Sequence, residues 1–298
     1  MSSLEHATRF LVEAEPEDWW VLHAMEKLIS SYERIPIDQI SRVSGLDKDE
    51  VEFRLGRLGN TMLVICSESG HSLTSAGLDA IALNSLAKRK LVSAIGKPMS
   101  TGKESDIVKA IDDLGKEYAI KFYRLGRINF RAVRKKCEYA SSFTGHHWLV
   151  VNLEAAKKEY DALRRLHPLG VPVPEATARE RHAILMKKLG GSLLSDIKTL
   201  DHPVRVLRNI IESAKLAYTL GGMVNCDLSE HNIICNGEKI WMIDWPQYVE
   251  KGHPNSSKLL DRDLLNILGF FRKRFMIDCK LEATTFYVRG WSDRLEIF

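Results

Sequence analysis

The chain has 298 residues, 45% of them hydrophobic and 28% charged, which excludes a disordered chain and is enough for one large or two ordinary domains. Its five cysteines are scattered and form no Cys-x-x-Cys pair, which argues against a zinc site or a disulfide framework and predicts a reducing, cytoplasmic compartment. The net charge of +4 permits a nucleic-acid partner without requiring one, and the lack of a signal-peptide pattern or of roughly 20 consecutive apolar residues predicts no membrane partner.

The first ninety residues predict helices and one β-hairpin. Apolar periodicity and turn residues place helices over residues 19–32, 37–43, 48–58 and 77–88 and strands over 62–66 and 71–73. Gly45 ends the second helix, whereas Asp47 and Thr74 are N-cap residues for the helices that follow them. This order predicts a winged helix-turn-helix domain over residues 1–90, whose third helix would be the one that reads a nucleic-acid groove.

The charges on that third helix do not favour base reading. Its positive residues are Lys48, Arg54 and Arg57, and its negative residues are Asp47, Asp49, Glu50 and Glu52. A helix that enters a phosphate-lined groove usually carries a positive excess. We therefore expect a winged fold without direct base reading, and both a nucleic-acid contact and a packing or protein-docking role stay open.

A turn rich in small residues is predicted between a strand over 91–96 and a strand over 106–111. The turn runs from Lys97 to Ser105 and includes Gly102, Lys103 and Glu104. It is not a Walker loop, because the glycine spacing is too long and Lys103 is followed by Glu104. Its backbone N–H groups and the Ser105 hydroxyl could still hold phosphates, although an ordinary surface hairpin has a similar composition.

Lys121 lies in an otherwise apolar predicted strand, Tyr118–Phe122, that matches the kinase strand Val-Ala-Ile-Lys at three of four places. A buried ammonium needs an anionic partner, because an unpaired buried charge is very costly. Nucleotide phosphates and a glutamate from the helix over 153–166 normally supply it, and Glu159 or Glu154 is suitably placed. An edge-strand lysine that reaches water is the alternative.

A basic segment follows this strand. Its cationic residues are Arg124, Arg127, Arg131, Arg134, Lys135 and Lys136. Such a segment, residues 124–136, is typical of an anionic docking surface, and the serines and threonine after it could be autophosphorylated. A solvated charged helix is the alternative.

An apolar strand over residues 183–186 leads into a segment, 187–191, that could be a hinge between two lobes. In a nucleotide-binding protein, the backbone groups of such a hinge would pair with adenine.

The segment around Asp227 carries the strongest pattern for chemistry. Asp227 and Asn232 are five positions apart, and an apolar strand over 240–243 then ends in Asp244. Phosphoryl transfer needs a carboxylate at the accepting hydroxyl, and an amide and a second carboxylate that hold Mg²⁺ on the phosphates. Kinases use this spacing. Alone, the spacing is weak evidence for a phosphoryl-transfer site. Lys121 and the turn over 97–105 upstream strengthen it.

Taken together, Gly102–Ser105, Lys121, the Asp227–Asn232 motif and Ile243–Gln247 resemble the RIO family of atypical protein kinases. The winged helix is similar to that of the second RIO subfamily in its compact archaeal form. The resemblance implies an α+β architecture, with a bilobal kinase-like domain over residues 91–298. Its N-lobe would span 91–186, its hinge 187–191 and its C-lobe 192–298.

The resemblance also implies an activity and partners. It implies ATP with Mg²⁺ or Mn²⁺ as cofactors, and serine/threonine autophosphorylation or ATPase activity. It further implies maturation of the small ribosomal subunit, with rRNA or ribosomal proteins of the subunit precursor as partners.

Carried over to this chain, the resemblance implies a role for each motif residue. Asp227 would be catalytic, and Asn232 and Asp244 would hold the metal. The implied nucleotide-binding residues are Gly102, Lys103, Glu104, Ser105, Lys121 with its partner Glu159, the gatekeeper Met186, and Lys187 and Leu189 of the hinge. Walls of the adenine slot would be Ile95, Ala119, Ile234 and Ile243, each of which core packing also explains. Asp263 would support the catalytic loop.

Two departures from the family pattern concern the immediate surroundings of the acids. Asn225-Cys226 stands where His-Gly precedes the catalytic aspartate, and Trp245 stands where Phe is usual. Two other functions stay open. One is a ribosome- or nucleic-acid-binding module that uses ATP as a conformational switch. The other is a small-molecule phosphotransferase, against which the winged domain and the basic segment count.

Overall fold

The structure, a computed structural model, describes residues 2–125 and 148–297. Contacts between Cα atoms divide the chain into two compact units. One comprises Met1–Lys157 and Ala178–Leu185, and the other comprises Lys158–Thr177 and Met186–Phe298. Among the described residues, no helix has both the length and the apolar character needed to cross a bilayer.

The first unit begins with helices and a hairpin. The elements are α1 Ser3–Glu13, α2 Pro16–Leu28, α3 Ile37–Ser44, α4 Lys48–Asn60, β1 Val64–Ser67, β2 Gly70–Leu73 and α5 Ser75–Lys88. β1 and β2 pair antiparallel as the wing. The predicted winged helix-turn-helix is confirmed, with α4 as its third helix.

Local capping signals explain why the predicted helix ends agree with the structure. The Asp47 carboxylate accepts from the Glu50 N–H at 2.8 Å, and the Thr74 hydroxyl accepts from the Gly77 N–H at 3.1 Å. Gly45 ends α3 with φ +78°, a conformation that glycine adopts without steric cost.

Two boundaries near the N-terminus differ from the prediction. Helix α1 was not predicted, although Ser2 and Glu5 form a capping box in front of it. Helix α2 spans Pro16–Leu28 instead of 19–32, because proline is favoured at the first helical position and the chain turns after Leu28.

A five-stranded sheet follows in the order β3-β4-β5-β7-β6. Its strands are β3 Ala94–Thr101, β4 Ser105–Ile111, β5 Glu117–Tyr123, β6 Ala176–Glu180 and β7 Ala183–Lys187. The prediction that strand structure stops at Gly96 is wrong, because β3 continues through Pro98 to Thr101. Register shifts on both sides of Pro98 let this edge strand accommodate a residue without an N–H.

One apolar core runs through the winged helix and the sheet of the first unit. It includes Phe10, Leu55 and Leu83 from the helices and Val108 and Ile120 from the strands. Packing is therefore continuous across residue 90. The domain boundary at that residue stays a prediction.

The second unit is built on helices with short strands between them. Helix α6 Trp148–Leu166 begins in the first unit and continues here, followed by α7 Pro203–Thr219, α8 Ser256–Phe275 and α9 Leu281–Val288. The strands are β8 Ser192–Leu193, β9 Met223–Val224, β10 Ile233–Asn236, β11 Lys239–Met242 and β12 Val249–Glu250. The order β11-β10-β8 forms one small sheet, and β9 pairs with β12. The segment 225–232 connects β9 to β10, and α8 packs against both β9 and the turn over Glu230–Asn232.

Candidate phosphoryl-transfer site

The second unit brings Asp227 and Asn232 into contact. Asp227 is exposed, whereas Cys226 and Leu228 on either side of it are buried, so the backbone holds its carboxylate toward solvent. A 3₁₀ helix, Glu230–Asn232, turns the chain back. As a result the Asn232 amide donates to the Asp227 carbonyl at 2.8 Å and to Asp227 Oδ2 at 3.1 Å.

The same amide has the chemistry of a metal ligand. Because Asn232 Nδ2 donates to Asp227, its Oδ1 is the atom left for a cation, and Mg²⁺ prefers such oxygen ligands. The Ile243 N–H donates to the Asn232 carbonyl at 2.9 Å and brings the segment that follows β11, which contains Asp244, beside it. No group of three His, Cys, Asp or Glu side chains suited to a metal occurs in the described ranges. Mg²⁺ commonly takes one or two protein ligands, with phosphates and water completing the shell, so this donor set fits it.

Asn225 connects the two acidic positions, a role that sequence reasoning missed. Its Nδ2 donates to the Asp244 carbonyl at 3.1 Å, and its Oδ1 accepts from the Asp227 N–H at 3.1 Å. The side chain is buried, with 5% of its surface exposed. One amide therefore fixes the spacing between the backbones of the proposed catalytic and metal-binding aspartates.

Cys226 adopts a backbone conformation that explains the glycine usual at this position. Its φ is +69°, in the left-handed region, where a residue with a Cβ is strained by roughly 1–2 kcal/mol. This conformation directs the Cys226 N–H to Asp263 Oδ2 at 2.7 Å, and the Cys226 carbonyl accepts from Arg262. Burial first, and the nearby Asp263 charge second, raise the pKa of the thiol to about 12, so it is not a nucleophile at neutral pH.

Asp263 supports the loop that carries Asp227 by accepting a hydrogen bond from the Cys226 N–H. Only 1% of its surface is exposed, and burial raises its pKa from 3.8 to about 7. The charge of Arg262 and the hydrogen bond from Cys226 oppose this rise, whereas the charge of Asp227 adds to it. The loop therefore rests on a carboxyl group that titrates near neutral pH.

Trp245 is accommodated without an unsatisfied polar group. It is 1% exposed, and its indole N–H donates to the Met242 carbonyl at 3.2 Å. Its backbone N–H donates to Glu159 Oε1 at 3.3 Å. The tryptophan therefore acts through packing, as expected from a substitution for phenylalanine. The assignment of Glu159 as the partner of Lys121 stays a prediction, since the two residues belong to different units.

The first unit places Lys121 on a central strand. β5 lies between β4 and β7, and only 6% of Lys121 is exposed. Its Nζ lies 4.9 Å from the centre of the Tyr123 ring. The alternative of an edge-strand lysine that reaches water is therefore wrong, and the buried position fits an ammonium that serves an anion.

The predicted phosphate turn is shorter than expected and tightly closed. It spans residues 102–105, from the end of β3 to the first residue of β4, and the Gly102 N–H donates to the Ser105 carbonyl at 2.8 Å. A Cβ at Gly102 would lie 3.2 Å from that carbonyl oxygen, so glycine suits the close approach. The Glu104 carbonyl accepts from the Arg124 N–H at 2.7 Å, while Lys103 is exposed.

The predicted adenine contacts lie where strands end. Met186 is buried and Lys187 exposed at the end of β7, and the half-buried Leu189 follows them. The Lys187 N–H donates to the Glu175 carbonyl at 2.9 Å, which leaves its own carbonyl as the better candidate for a base. Ile234 is half-buried on β10 opposite Leu193. The wall residues are half-buried Ile95 and Ile243 and buried Ala119.

The first residue of the predicted basic segment has a different role. Arg124 is 2% exposed and pairs with Asp79 and Asp106, so its assignment to an anionic docking surface is wrong. A guanidinium this deeply buried needs carboxylate partners. The rest of that segment, residues 126–136, lies outside the described residues.

The positive residues of α4 are all engaged by acids. Arg54 Nη1 lies 2.5 Å from Glu15 Oε2, Arg57 contacts the same carboxylate, and Lys48 contacts Asp38. Glu15 precedes α2, so the third helix of the winged domain uses its cations to pack against its neighbours. Whether α4 contacts nucleic acid stays a prediction.

Comparisons with known proteins identify the family of the chain. The RIO domain model matches residues 106–284, and the model of the Rio2 N-terminal domain matches residues 11–89. A RIO-type serine/threonine-protein kinase Rio2 from Methanocaldococcus jannaschii is 34% identical over 249 residues, which cover 81% of this chain and 91% of that protein. The serine/threonine-protein kinase rio2 of Dictyostelium discoideum is 33% identical, over 87% of this chain and 50% of that one, so the present chain spans half of that relative.

Solved structures agree with the sequence relatives. The Rio2 kinase from Chaetomium thermophilum, in a complex with ADP/Mg²⁺ and phosphoaspartate, matches with a TM-score of 0.77 and 28% identity, covering 96% of this chain and 94% of that one. A second structure of that kinase matches with a TM-score of 0.78 and 29% identity, over 93% and 87% of the two chains.

Proposed function

The chain belongs to the RIO family of serine/threonine-protein kinases, and from this premise we propose that it transfers the γ-phosphoryl group of ATP to a serine or threonine hydroxyl, its own included, or to water. The observation that carries the proposal is the hydrogen-bonded array in which Asn225 and Asn232 hold Asp227 beside the backbone of Asp244. A chance Asp-x-x-x-x-Asn spacing would not tie the two asparagine side chains to Asp227 and to the backbone of Asp244.

We assign ATP and Mg²⁺ as the ligands, with Mn²⁺ as an alternative metal. The related Rio2 kinase from Chaetomium thermophilum, which binds ADP and Mg²⁺, supports this choice. Asn232 and Asp244 would hold the metal, and the turn 102–105 and Lys121 the phosphates. Met186, Lys187 and Leu189 would contact the adenine.

In the proposed reaction the protein acts mainly by positioning the nucleotide and the nucleophile and by stabilising charge. Asp227 is exposed and oriented by Asn232, so it can accept the proton of an incoming hydroxyl or orient a water molecule. Lys121 would place a positive charge near the phosphates, and a metal held by Asn232 and Asp244 would supply further positive charge to neutralise the transferred group. Asn225 keeps the two aspartates in register during this step.

Replacement of Asp227 by alanine tests this proposal. We expect phosphoryl transfer to fall by at least about 10²-fold, because the group that orients the nucleophile is lost. ATP affinity should change little, since the phosphate and adenine contacts remain. The measurement uses labelled ATP and asks whether the label appears on the protein itself, on an added protein substrate or as free phosphate. Asp201→Ala, at an exposed aspartate, is the control.

Undiminished transfer by the Asp227→Ala variant would remove Asp227 from the mechanism. Hydroxylamine treatment of the labelled protein distinguishes phosphorylation of an aspartate from phosphorylation of a serine. It cleaves the acyl phosphate on aspartate, whereas phosphoserine is stable. The phosphoaspartate of the Chaetomium thermophilum complex makes this distinction worth measuring.

We also propose that the protein acts in the cytoplasm on precursors of the small ribosomal subunit, as family membership suggests. Free thiols at Cys66, Cys226, Cys235 and Cys279 suit a reducing compartment. The engaged cations of α4 favour protein contacts over base reading for the winged helix. ATP-dependent release from small-subunit precursors without phosphotransfer would support the second candidate function, an ATP-driven switch.

A further inference from the structure

A carboxylate from the winged helix is buried beside the sheet of the first unit. Asp79 lies in the middle of α5 with none of its surface exposed. Its Oδ1 and Oδ2 accept from Arg124 Nη1 and Nη2, each at 2.8 Å. Its Oδ1 also lies 2.7 Å from His182 Nε2, and Ser3 donates to its Oδ2. Two parallel bonds from one guanidinium fix both distance and orientation.

Arg124 connects this carboxylate to both sides of the phosphate turn. Its Nε donates to Asp106 Oδ2 at 2.8 Å, and its backbone N–H donates to the Glu104 carbonyl at 2.7 Å. Glu104 and Asp106 flank Ser105, the residue whose hydroxyl is assigned to the phosphates. Arg124 is thus held from the winged helix on one side and holds the turn on the other.

The charges of this network are settled by its partners. Burial alone would raise the pKa of Asp79, but the charge of Arg124 and the hydrogen bond from His182 outweigh burial and lower it. Burial lowers the pKa of His182, so its ring is neutral and Nε2–H donates to Asp79. The network therefore holds the Arg124 guanidinium between the ionised Asp79 and the side chain of Asp106.

We propose that Asp79 of the winged helix is a positioning residue for ATP, because it holds Arg124 in the orientation that fixes the phosphate turn 102–105. The inference rests on the proposed function, which assigns that turn to the phosphates. It makes the winged helix a structural part of the nucleotide site rather than a separate docking module.

A second link between winged helix and sheet provides a matched control. Arg181, between β6 and β7, donates from Nε to Glu26 Oε1 of α2 at 2.7 Å. Like Asp79, Glu26 is an acid of the winged helix that holds an arginine near the sheet. Its arginine lies at the β6–β7 turn rather than at the phosphate turn, so losing it should affect stability alone.

The test compares Asp79→Asn with Glu26→Gln in the full chain and measures dissociation constants for ATP and for adenosine. We expect Asp79→Asn to weaken ATP binding by about tenfold, the scale of effect that losing an outer-shell partner has at a metal site. Adenosine binding should change by less than about twofold, because adenosine lacks phosphates. Glu26→Gln should leave the ratio of the two constants unchanged.

Hydrogen exchange in the ligand-free protein measures how firmly Asp79 and Arg124 hold the turn 102–105 when no nucleotide is bound. The amides of Gly102 and Arg124 should exchange faster in Asp79→Asn and not in Glu26→Gln. If Asp79→Asn does not fold, His182→Asn takes its place, since it removes the neutral partner of Asp79 and keeps the ion pair. It should loosen the same amides to a smaller degree.

Equal losses of ATP and adenosine affinity in Asp79→Asn, or unchanged exchange at both amides, would overturn the inference. A wild-type protein that binds ATP no more tightly than adenosine would instead refute the assignment of the phosphate turn. Faster exchange in Asp79→Asn would still support positioning of the turn in that case. The two failures are therefore distinguishable.

Discussion

The two units each bury a carboxylate that supports a functional segment, but the two carboxylates differ in charge. Asp79 in the first unit is 0% exposed and its pKa is lowered, whereas Asp263 in the second unit is 1% exposed and its pKa is raised to about 7. Burial opposes ionisation of both. Asp79 faces a whole buried guanidinium, while Asp263 receives one backbone N–H and contacts Arg262, whose side chain is half exposed.

The difference shows that partners rather than burial decide which carboxylate is a fixed anion. A buried pair with two parallel hydrogen bonds stays charged at any physiological pH. A buried carboxyl group whose partner is partly solvated has a raised pKa, so its charged and neutral forms are both populated near neutral pH. The turn 102–105 thus has a support that stays ionised, and the loop that carries Asp227 has a support whose pKa is about 7.

The largest effect should come from removing the cation of the first unit. Arg124→Met leaves Asp79 and Asp106 buried without their guanidinium, and breaking a buried pair on one side costs about 3–5 kcal/mol. Denaturant unfolding measures the loss. Arg89→Met breaks a pair with Glu180 in which the arginine is 53% exposed, and should cost less than about 1 kcal/mol. Equal losses of unfolding free energy in the two variants would show that Arg124 does not neutralise Asp79 and Asp106 as the structure indicates.

A smaller effect should appear in the pH dependence of stability through Asp263. The folded protein holds this proton more tightly than the unfolded chain, so the contribution is present below about pH 4 and is lost as pH rises toward about 7. The shift from 3.8 to about 7 corresponds to roughly 2–4 kcal/mol across that window. Urea unfolding of wild type and Asp263→Asn at several pH values measures it.

Asp263→Asn keeps an oxygen that accepts from Cys226 and cannot ionise. Its stability relative to wild type should therefore rise as pH increases through the window and stay constant above it. A difference between the two proteins that does not depend on pH would mean that Asp263 stays ionised, as Asp79 does.

The smallest expected effect on stability comes from Cys226, whose backbone N–H donates to Asp263. At an ordinary position alanine is more stable than glycine by about 0.5–1 kcal/mol, but the left-handed φ of Cys226 should reverse this order. We expect Cys226→Gly to be more stable than Cys226→Ala by about 1 kcal/mol, as thermal unfolding of the two variants would show. The ordinary order would indicate that the loop relaxes without its strained peptide.

Features that depend on neighbours in sequence could be predicted. The caps at Asp47 and Thr74 and the glycine at position 45 act within four residues, and the structure contains all three as expected. The Asp227–Asn232 contact also follows from a short local turn. β3 was predicted too short because the effect of Pro98 depends on whether its strand lies at an edge, which spacing does not reveal.

Features that depend on distant partners could not be predicted. A single aspartate in the apolar run of α5 was a signal of a buried charge, but nothing local identified Arg124 or His182 as its partners. Similarly, Asn225 and Cys226 could be recognised as departures from the family pattern. Their function became clear only from the φ of Cys226 and the distances to Asp244 and Asp263.

The hydrogen bond between Asp79 and His182 also has a consequence during synthesis of the chain, because it joins residues 103 positions apart. Ribosomes add about 5–20 residues per second, so His182 is made roughly 5–20 s after Asp79. Until then Asp79 would have Arg124, but not His182, as a partner. We expect the winged helix, although translated first, to complete its packing only after β6 and β7 have left the ribosome.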